Sequence, residues 1–188
     1  MGATVSNTAN GYSGNGQGPE RPDVVPGAAG EPDEETKTEA IAAASRFFAA
    51  LGAQDHRALW EEFSEDARAY VINLALERGL DFDFASRLRE GTAGDEEFDE
   101  YARDLVAGLR ADVGNLDFDQ LTYEVALEPS EPDKLRVTYL VVMKGTIGDV
   151  PSAIPAGSLV LSHDGTRWRV ERLIPKPGSW RTWPPTIR

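Results

Sequence analysis

Four polar residues of this chain have the types and spacing expected around a small-molecule pocket. Tyr123 and Tyr139 lie in segments predicted to be strands, and Tyr70 and Asn73 are three residues apart in a helical segment. Residues three apart share one face of a helix. Ligand sites usually combine apolar walls with a few polar groups. We therefore predict that these four residues line a pocket for a small apolar ligand.

Acid–base and metal chemistry have weaker support in the sequence. His56 and His163 are the only histidines and there is no cysteine, which excludes disulfides and thiolate ligands. Ser162, His163 and Asp164 are consecutive, but neighbouring strand residues point to opposite faces and cannot form a catalytic triad. The acidic residues between 95 and 104 are typical of a solvated helix face. We predict no catalytic residue, no metal site and no cofactor.

A basic, tryptophan-rich stretch closes the chain. The last 24 residues hold six basic side chains against one acid, and three of the four tryptophans. Arginine and tryptophan are enriched at binding hot spots. We predict that Arg167, Arg169, Trp180 and Trp183 contact a protein partner. The alternative is that the arginines pair with acidic helices within the molecule.

The elements that position these residues are predicted to be helices first and strands last. Helical periodicity indicates five helices. The first runs from 35–38 to about Ala53, and a short second helix follows the cap Asp55. A third helix ends at Gly79, a short fourth covers 81–92, and an amphipathic fifth covers 95–112. Four strands follow, at 119–128, 134–146, 157–163 and 166–174. The two prolines between 128 and 133 predict a loop, 145–155 a longer connection, and Asp164-Gly165 a tight hairpin turn. This order predicts an α+β fold with N-terminal helices packed on a curved antiparallel sheet.

With this order of elements, the chain resembles the nuclear transport factor 2-like superfamily of SnoaL-like or cystatin-like α+β proteins. The resemblance covers most of residues 38–174, although 80–115 is longer than the family's usual helical section. It is carried by Phe47, Phe48, Leu51, Ala53, Asp55, Leu59, Trp60, Phe63, Asp66, Ala67, Gly165, Trp168 and Val170. It implies a strongly curved sheet that wraps the first helix and leaves a conical pocket.

The family hosts isomerases, cyclases, epoxide hydrolases and dehydratases beside transport factors and assembly domains, so the fold alone does not assign a function. Alignment on Ala53 and Asp55 places the isomerase tyrosine on Phe47 and the proton-accepting base near Val71. Neither side chain can handle a proton. Tyr70 and Asn73 match partners used by the hydrolases, but no arginine flanked by two aspartates accompanies them. We therefore expect a non-catalytic binding or assembly domain, with a small-molecule isomerase, cyclase or hydrolase as the alternative.

Composition predicts three parts to the chain. Residues 1–36 hold seven glycines and four prolines and are predicted to be a disordered acidic linker, 37–176 form the domain, and 177–188 are a Trp/Pro-rich tail. A formal net charge of −13 argues against nucleic-acid binding. An apolar outer sheet face would bind a second copy or a protein partner. Because such linkers often follow a removed signal or an anchor, we expect an extracytoplasmic or membrane-anchored location rather than a cytoplasmic one.

Overall fold

Over the part of the chain that the structure describes, five helices are followed by a four-stranded antiparallel sheet, which confirms the predicted α+β class and element order. The structure, a computed structural model, describes residues 31–147 and 150–175. The helices are α1 Glu34–Ala53, α2 His56–Glu62, α3 Glu65–Glu77, α4 Phe82–Glu90 and α5 Asp95–Val113. A short 3-10 helix, Phe118–Gln120, leads into β1 Leu121–Glu128, β2 Glu131–Ile147, β3 Val150–His163 and β4 Trp168–Pro175.

Side-chain caps determine where most of the helices begin. The predicted cap Asp55 is confirmed, because its carboxylate accepts a hydrogen bond from the Ala58 amide at 3.0 Å. Ser64 and Asp81 cap α3 and α4 in the same way. Asp33 accepts from the Thr36 amide at 2.7 Å, so α1 begins at Glu34, slightly before the predicted range. These bonds satisfy amides that have no partner within the helix.

The sheet is a meander in which β1, β2, β3 and β4 pair in sequence order. The loop predicted for 128–133 is wrong, because Glu128 pairs with Glu131 and only a two-residue turn separates β1 from β2. The long connection predicted for 145–155 is also wrong, since β2 continues to Ile147 and β3 starts at Val150. Pro132 lies next to the start of its strand, where the missing amide is tolerated.

The predicted turn at Asp164-Gly165 is present, but it is longer than a two-residue turn. Asp164 accepts hydrogen bonds from the amides of Thr166 and Arg167 at 2.8 and 2.9 Å, and β4 resumes only at Trp168. Gly165 has a φ of 93°, a conformation that strongly favours glycine.

The core lies between α1 and the inner face of the sheet. Phe47, Phe48 and Leu51 on α1 are buried against Val137 on β2 and Leu159 on β3. The helical layer is also joined to β4 by the main chain, because the Ser64 amide donates to the Val170 carbonyl at 2.9 Å. The inner face of the central strands therefore meets α1 rather than solvent.

Candidate functional site

Tyr123 and Tyr139 are brought together at the inner face of the sheet. They are directly paired across β1 and β2. Both rings contact Phe48 of α1, with centroid separations of 6.4 and 4.9 Å, and Phe118 stacks on the same ring at 5.6 Å. These aromatic side chains pack together against α1, in the region where the resemblance placed a conical pocket.

Gly157 has no side chain and so leaves room for the Tyr139 hydroxyl. A methyl group placed on Gly157 would lie 2.0 Å from that oxygen and 2.8 Å from the Ile174 carbonyl oxygen. Gly157 pairs with Tyr139 in the β2–β3 register and with Pro175 on the other side. The bulk of the tyrosine therefore requires a residue without a side chain on the adjacent strand.

A cavity of about 420 Å³ lies between the C-terminal end of α5 and strands β2 and β3. We call it the α5–sheet cavity. Its walls are largely apolar and include Val113, Val141 and Ile154, and the last of these is 41% exposed. Tyr139 and Asp112 also line it and supply a phenol and a carboxylate. This arrangement can bind an apolar body and orient one polar group.

The two tyrosines are protonated at neutral pH. Burial raises the pKa of Tyr139 and of Tyr123 above the ordinary value of 10.0. Tyr123 also hydrogen-bonds with Ser45, which opposes that rise. A neutral phenol donates or accepts a hydrogen bond but does not abstract a proton, so these residues suit binding better than base catalysis.

The histidines lie elsewhere. His56 contacts Asp99 at 3.1 Å, and the pKa of that carboxyl is lowered chiefly by this bond. His163 accepts a hydrogen bond from the Gly165 amide at 3.1 Å and packs edge-on against Trp168. Neither imidazole is among the residues that line the α5–sheet cavity.

Tyr70 and Asn73 are placed apart from this cavity. Tyr70 is 44% exposed on α3. Asn73 is also exposed and accepts a hydrogen bond from Arg89 of α4 at 2.5 Å. The four predicted pocket residues therefore fall into two groups, of which only Tyr123 and Tyr139 face the core.

Arg167 and Arg169 make contacts within the chain. Arg167 donates to the Glu62 carboxylate at 3.1 Å and to the Glu61 carbonyl at 2.8 Å. Arg169 donates to Asp164 and to the same carbonyl. These bonds are of the kind expected from the intramolecular alternative, in which the arginines hold β4 to the end of α2. Trp180 and Trp183 lie outside the described residues.

Glu62 is a buried carboxylate that no motif in the sequence indicates. Its side chain is only 8% exposed, and it also accepts from Arg46 of α1 at 3.2 Å. It thus links α1, α2 and the strand that follows Arg167. The partners are 16 and 105 residues away in sequence, so no local pattern indicates the cluster.

The outer face of the sheet carries alternating charges where its side chains are described. Arg136 forms a bidentate pair with Glu128, and Lys134 bridges Glu131 and Glu171. We call these residues, together with Arg172, the charged strip. Val160 on this face is fully buried between its cross-strand neighbours Arg136 and Arg172, consistent with coverage by arginine hydrocarbon stems. Ile174 is the exposed apolar residue beside the strip, at 37%.

A second cleft, of about 570 Å³, lies among α3, α4 and α5. We call it the helical cleft. Leu80 and Phe84 form apolar walls, and Glu100, Tyr101 and Asp104 face it from α5. The acidic residues between 95 and 104 were expected on a solvated helix face, so this cleft was not predicted. The spacing of 100, 101 and 104 on one helix face was the available signal.

Within residues 31–147 and 150–175 there is no cluster of three or more side chains suited to holding a metal ion. Over the same part of the chain, none of the helices has the length and hydropathy needed to cross a bilayer. No family model matches the chain, and no curated protein or solved structure matches it significantly. The candidate sites therefore depend on geometry alone.

Proposed function

We propose that the chain is a non-catalytic binding domain of the nuclear transport factor 2-like type. The observation that carries the proposal is the aromatic packing next to α1. Phe48 packs there against Phe118, Tyr123 and Tyr139 at the centroid distances given above. Family members that perform chemistry would need a proton-handling group in that space, and in this chain the candidate positions hold Phe47 and Val71, both buried and apolar.

The ligand proposed for this domain is a small apolar molecule in the α5–sheet cavity. Exposed apolar surface inside a concavity is the usual mark of a binding site. Ile154 and Val113 would contact the apolar body of the ligand. The neutral Tyr139 phenol or Asp112 would hold one polar group.

Blocking the cavity tests this proposal. Ala111 is exposed on α5 and lines the cavity, so Ala111→Trp should fill it without disturbing the core. Ala107 is exposed one turn earlier on the same helix and does not line the cavity, so Ala107→Trp is the matched control. A neutral apolar fluorophore such as Nile red should bind saturably to wild type and to the control, and about tenfold more weakly to Ala111→Trp. Equal binding by both variants would refute the assignment.

The enzymatic alternative has one specific observation in its favour. Asp112 and Tyr139 line the same cavity, and a carboxylate beside a phenol is a combination used for enolisation or epoxide opening. A panel of enolisable ketones and epoxides should show no turnover above a buffer control if the domain only binds. Turnover that is lost in both Asp112→Asn and Tyr139→Phe would establish the enzyme instead.

A homodimer or a partner complex through the outer sheet face is a further part of the proposal. Ile174 beside the charged strip would be central to that contact. Sedimentation velocity should show a larger species that Ile174→Asp dissociates and Ala107→Asp, on the exposed side of α5, does not. A monomer at all concentrations without a partner would remove the dimer. We also propose action outside the cytoplasm or at a membrane, which rests only on the composition of residues 1–36.

A further inference from the structure

The helical cleft has the shape of a ligand site that is separate from the α5–sheet cavity. It lies where α3 ends and α4 begins, and the N-terminal half of α5 closes one side. Leu80 and Phe84 are half-buried and present apolar surface to it. A volume of about 570 Å³ is within the range of pockets that take small molecules.

Tyr101 is the buried polar residue of this cleft. It is 5% exposed, and its hydroxyl oxygen is shielded from solvent without a hydrogen-bond partner among the described residues. Its ring packs edge-on against Trp60 and Phe84 at 6.0 and 6.1 Å. Buried hydroxyl groups in native proteins nearly always have a partner, and an exception calls for an explanation. Burial also raises the pKa of this phenol, which keeps it neutral.

The charge around the cleft favours a cation. Its lining includes four carboxylates, those of Asp81, Glu97, Glu100 and Asp104, against two guanidinium groups. Arg87 pairs with Glu97 at 2.8 Å and also lies over the Phe84 ring at 5.6 Å. The cleft wall therefore already accommodates one cation on an aromatic face. The −13 net charge of the chain acts in the same direction.

We propose that the helical cleft binds a small organic cation, a primary ammonium group on an aromatic or alkyl body. The ammonium donates a hydrogen bond to the Tyr101 hydroxyl oxygen and is balanced by Glu100 and Asp104. The body packs against Leu80 and Phe84. Because the hydroxyl is closed to solvent, the side chains that cover it must move as the ligand enters. This site goes beyond the proposed function, which concerns a different cavity and an uncharged ligand.

Three probes of one shape separate charge recognition from simple apolar binding. Phenylethylammonium, 2-phenylethanol and phenylacetate share a ring and differ in the charge of the end group. Titration followed by NMR should show that the cation binds, with shifts at residues of α4 and α5 that line the cleft. The alcohol should bind about fivefold more weakly and the anion not measurably. Equal shifts with all three probes, or shifts outside the cleft, would overturn the proposal.

Variants then assign the contacts. Tyr101→Phe and Glu100→Gln should each weaken binding of phenylethylammonium by about fivefold. Glu96→Gln is the matched control, because Glu96 is exposed on the same helix and does not line the cleft. Its affinity should equal that of wild type. Unchanged affinity in Tyr101→Phe and Glu100→Gln, with folding verified by circular dichroism, would refute the site. Nile red binding at the α5–sheet cavity should be the same in all three variants, so the two proposals fail independently.

Discussion

Replacing Tyr101 with phenylalanine should stabilise the protein. The substitution removes only the hydroxyl and keeps the ring, which packs between Trp60 and Phe84. Most changes to buried residues destabilise a protein, so an increase in the free energy of unfolding is an unusual result to expect. It follows here because the hydroxyl is buried without a partner among the described residues.

The size of the effect follows from two opposing contributions. A buried hydroxyl without a hydrogen bond carries a desolvation penalty of about 1–3 kcal/mol, which the variant recovers. The void left by one oxygen atom costs roughly 0.3 kcal/mol. The free energy of unfolding should therefore rise by about 0.7–2.7 kcal/mol. For a chain of 188 residues this corresponds to an increase in Tm of roughly 1–11 °C.

Tyr123→Phe is the matched control, because Tyr123 is half-buried and its hydroxyl bonds to Ser45. The free energy of unfolding of Tyr123→Phe should be about 1 kcal/mol lower than that of wild type. Urea unfolding of the three proteins should therefore place wild type between the two variants. If Tyr101→Phe proves less stable than wild type by a similar amount, the hydroxyl has a partner in the folded protein. The Tyr101 hydroxyl would then not be an unsatisfied polar group in the helical cleft.

The same variant should change the stability in alkaline solution. Burial raises the pKa of Tyr101 above 10.0, so the unfolded chain loses this proton first as the pH rises. Below pH 10 this phenol makes no contribution to the pH dependence of the free energy of unfolding; above pH 10 that free energy falls by about 1.4 kcal/mol per pH unit, because the buried phenol stays protonated. Tyr101→Phe lacks the titrating group, so its stability should fall less steeply above pH 10. Parallel slopes would show that the phenol titrates normally in the folded protein.

Three other changes test the remaining geometry. Gly157→Ala should lower the free energy of unfolding by more than about 3 kcal/mol, because the added methyl group meets the Tyr139 hydroxyl and a backbone carbonyl. Thermal unfolding measures this loss. Glu62→Gln should lower the free energy of unfolding, measured in urea, by about 2 kcal/mol, since the carboxylate is buried and its two arginine partners are partly exposed. Glu61→Gln, at the exposed neighbouring position, should leave it nearly unchanged. Asp164→Asn should destabilise the protein at neutral pH and progressively less as the pH falls below about 4. The Thr166 hydroxyl, Arg169 and the Arg167 and Thr166 amides hold the pKa of Asp164 well below its usual range, so its stabilisation is lost on protonation. A constant difference across pH would contradict this explanation.

Local signals in the sequence determined the helices and the order of the elements. The cap at Asp55, the end of α1 at Ala53 and the amphipathic stripe of α5 all depend on residues within a few positions of one another. Such short-range preferences act before any tertiary contact forms. The errors lay where local signals conflicted, as at Pro132, which reads as a loop residue but lies near a strand start.

Only the tertiary structure decided how the functional side chains are placed. Tyr123 and Tyr139 both contact the Phe48 ring because the β1–β2 register pairs them. The exposure of Tyr70 depends on how α3 packs. The Glu62 cluster joins residues as many as 105 positions apart. Tyr101 has the periodicity of a core residue, and only the packing of the described helices shows that its hydroxyl has no hydrogen-bond partner among them. Periodicity states which face of an element is buried; the path of the whole chain determines what that face meets.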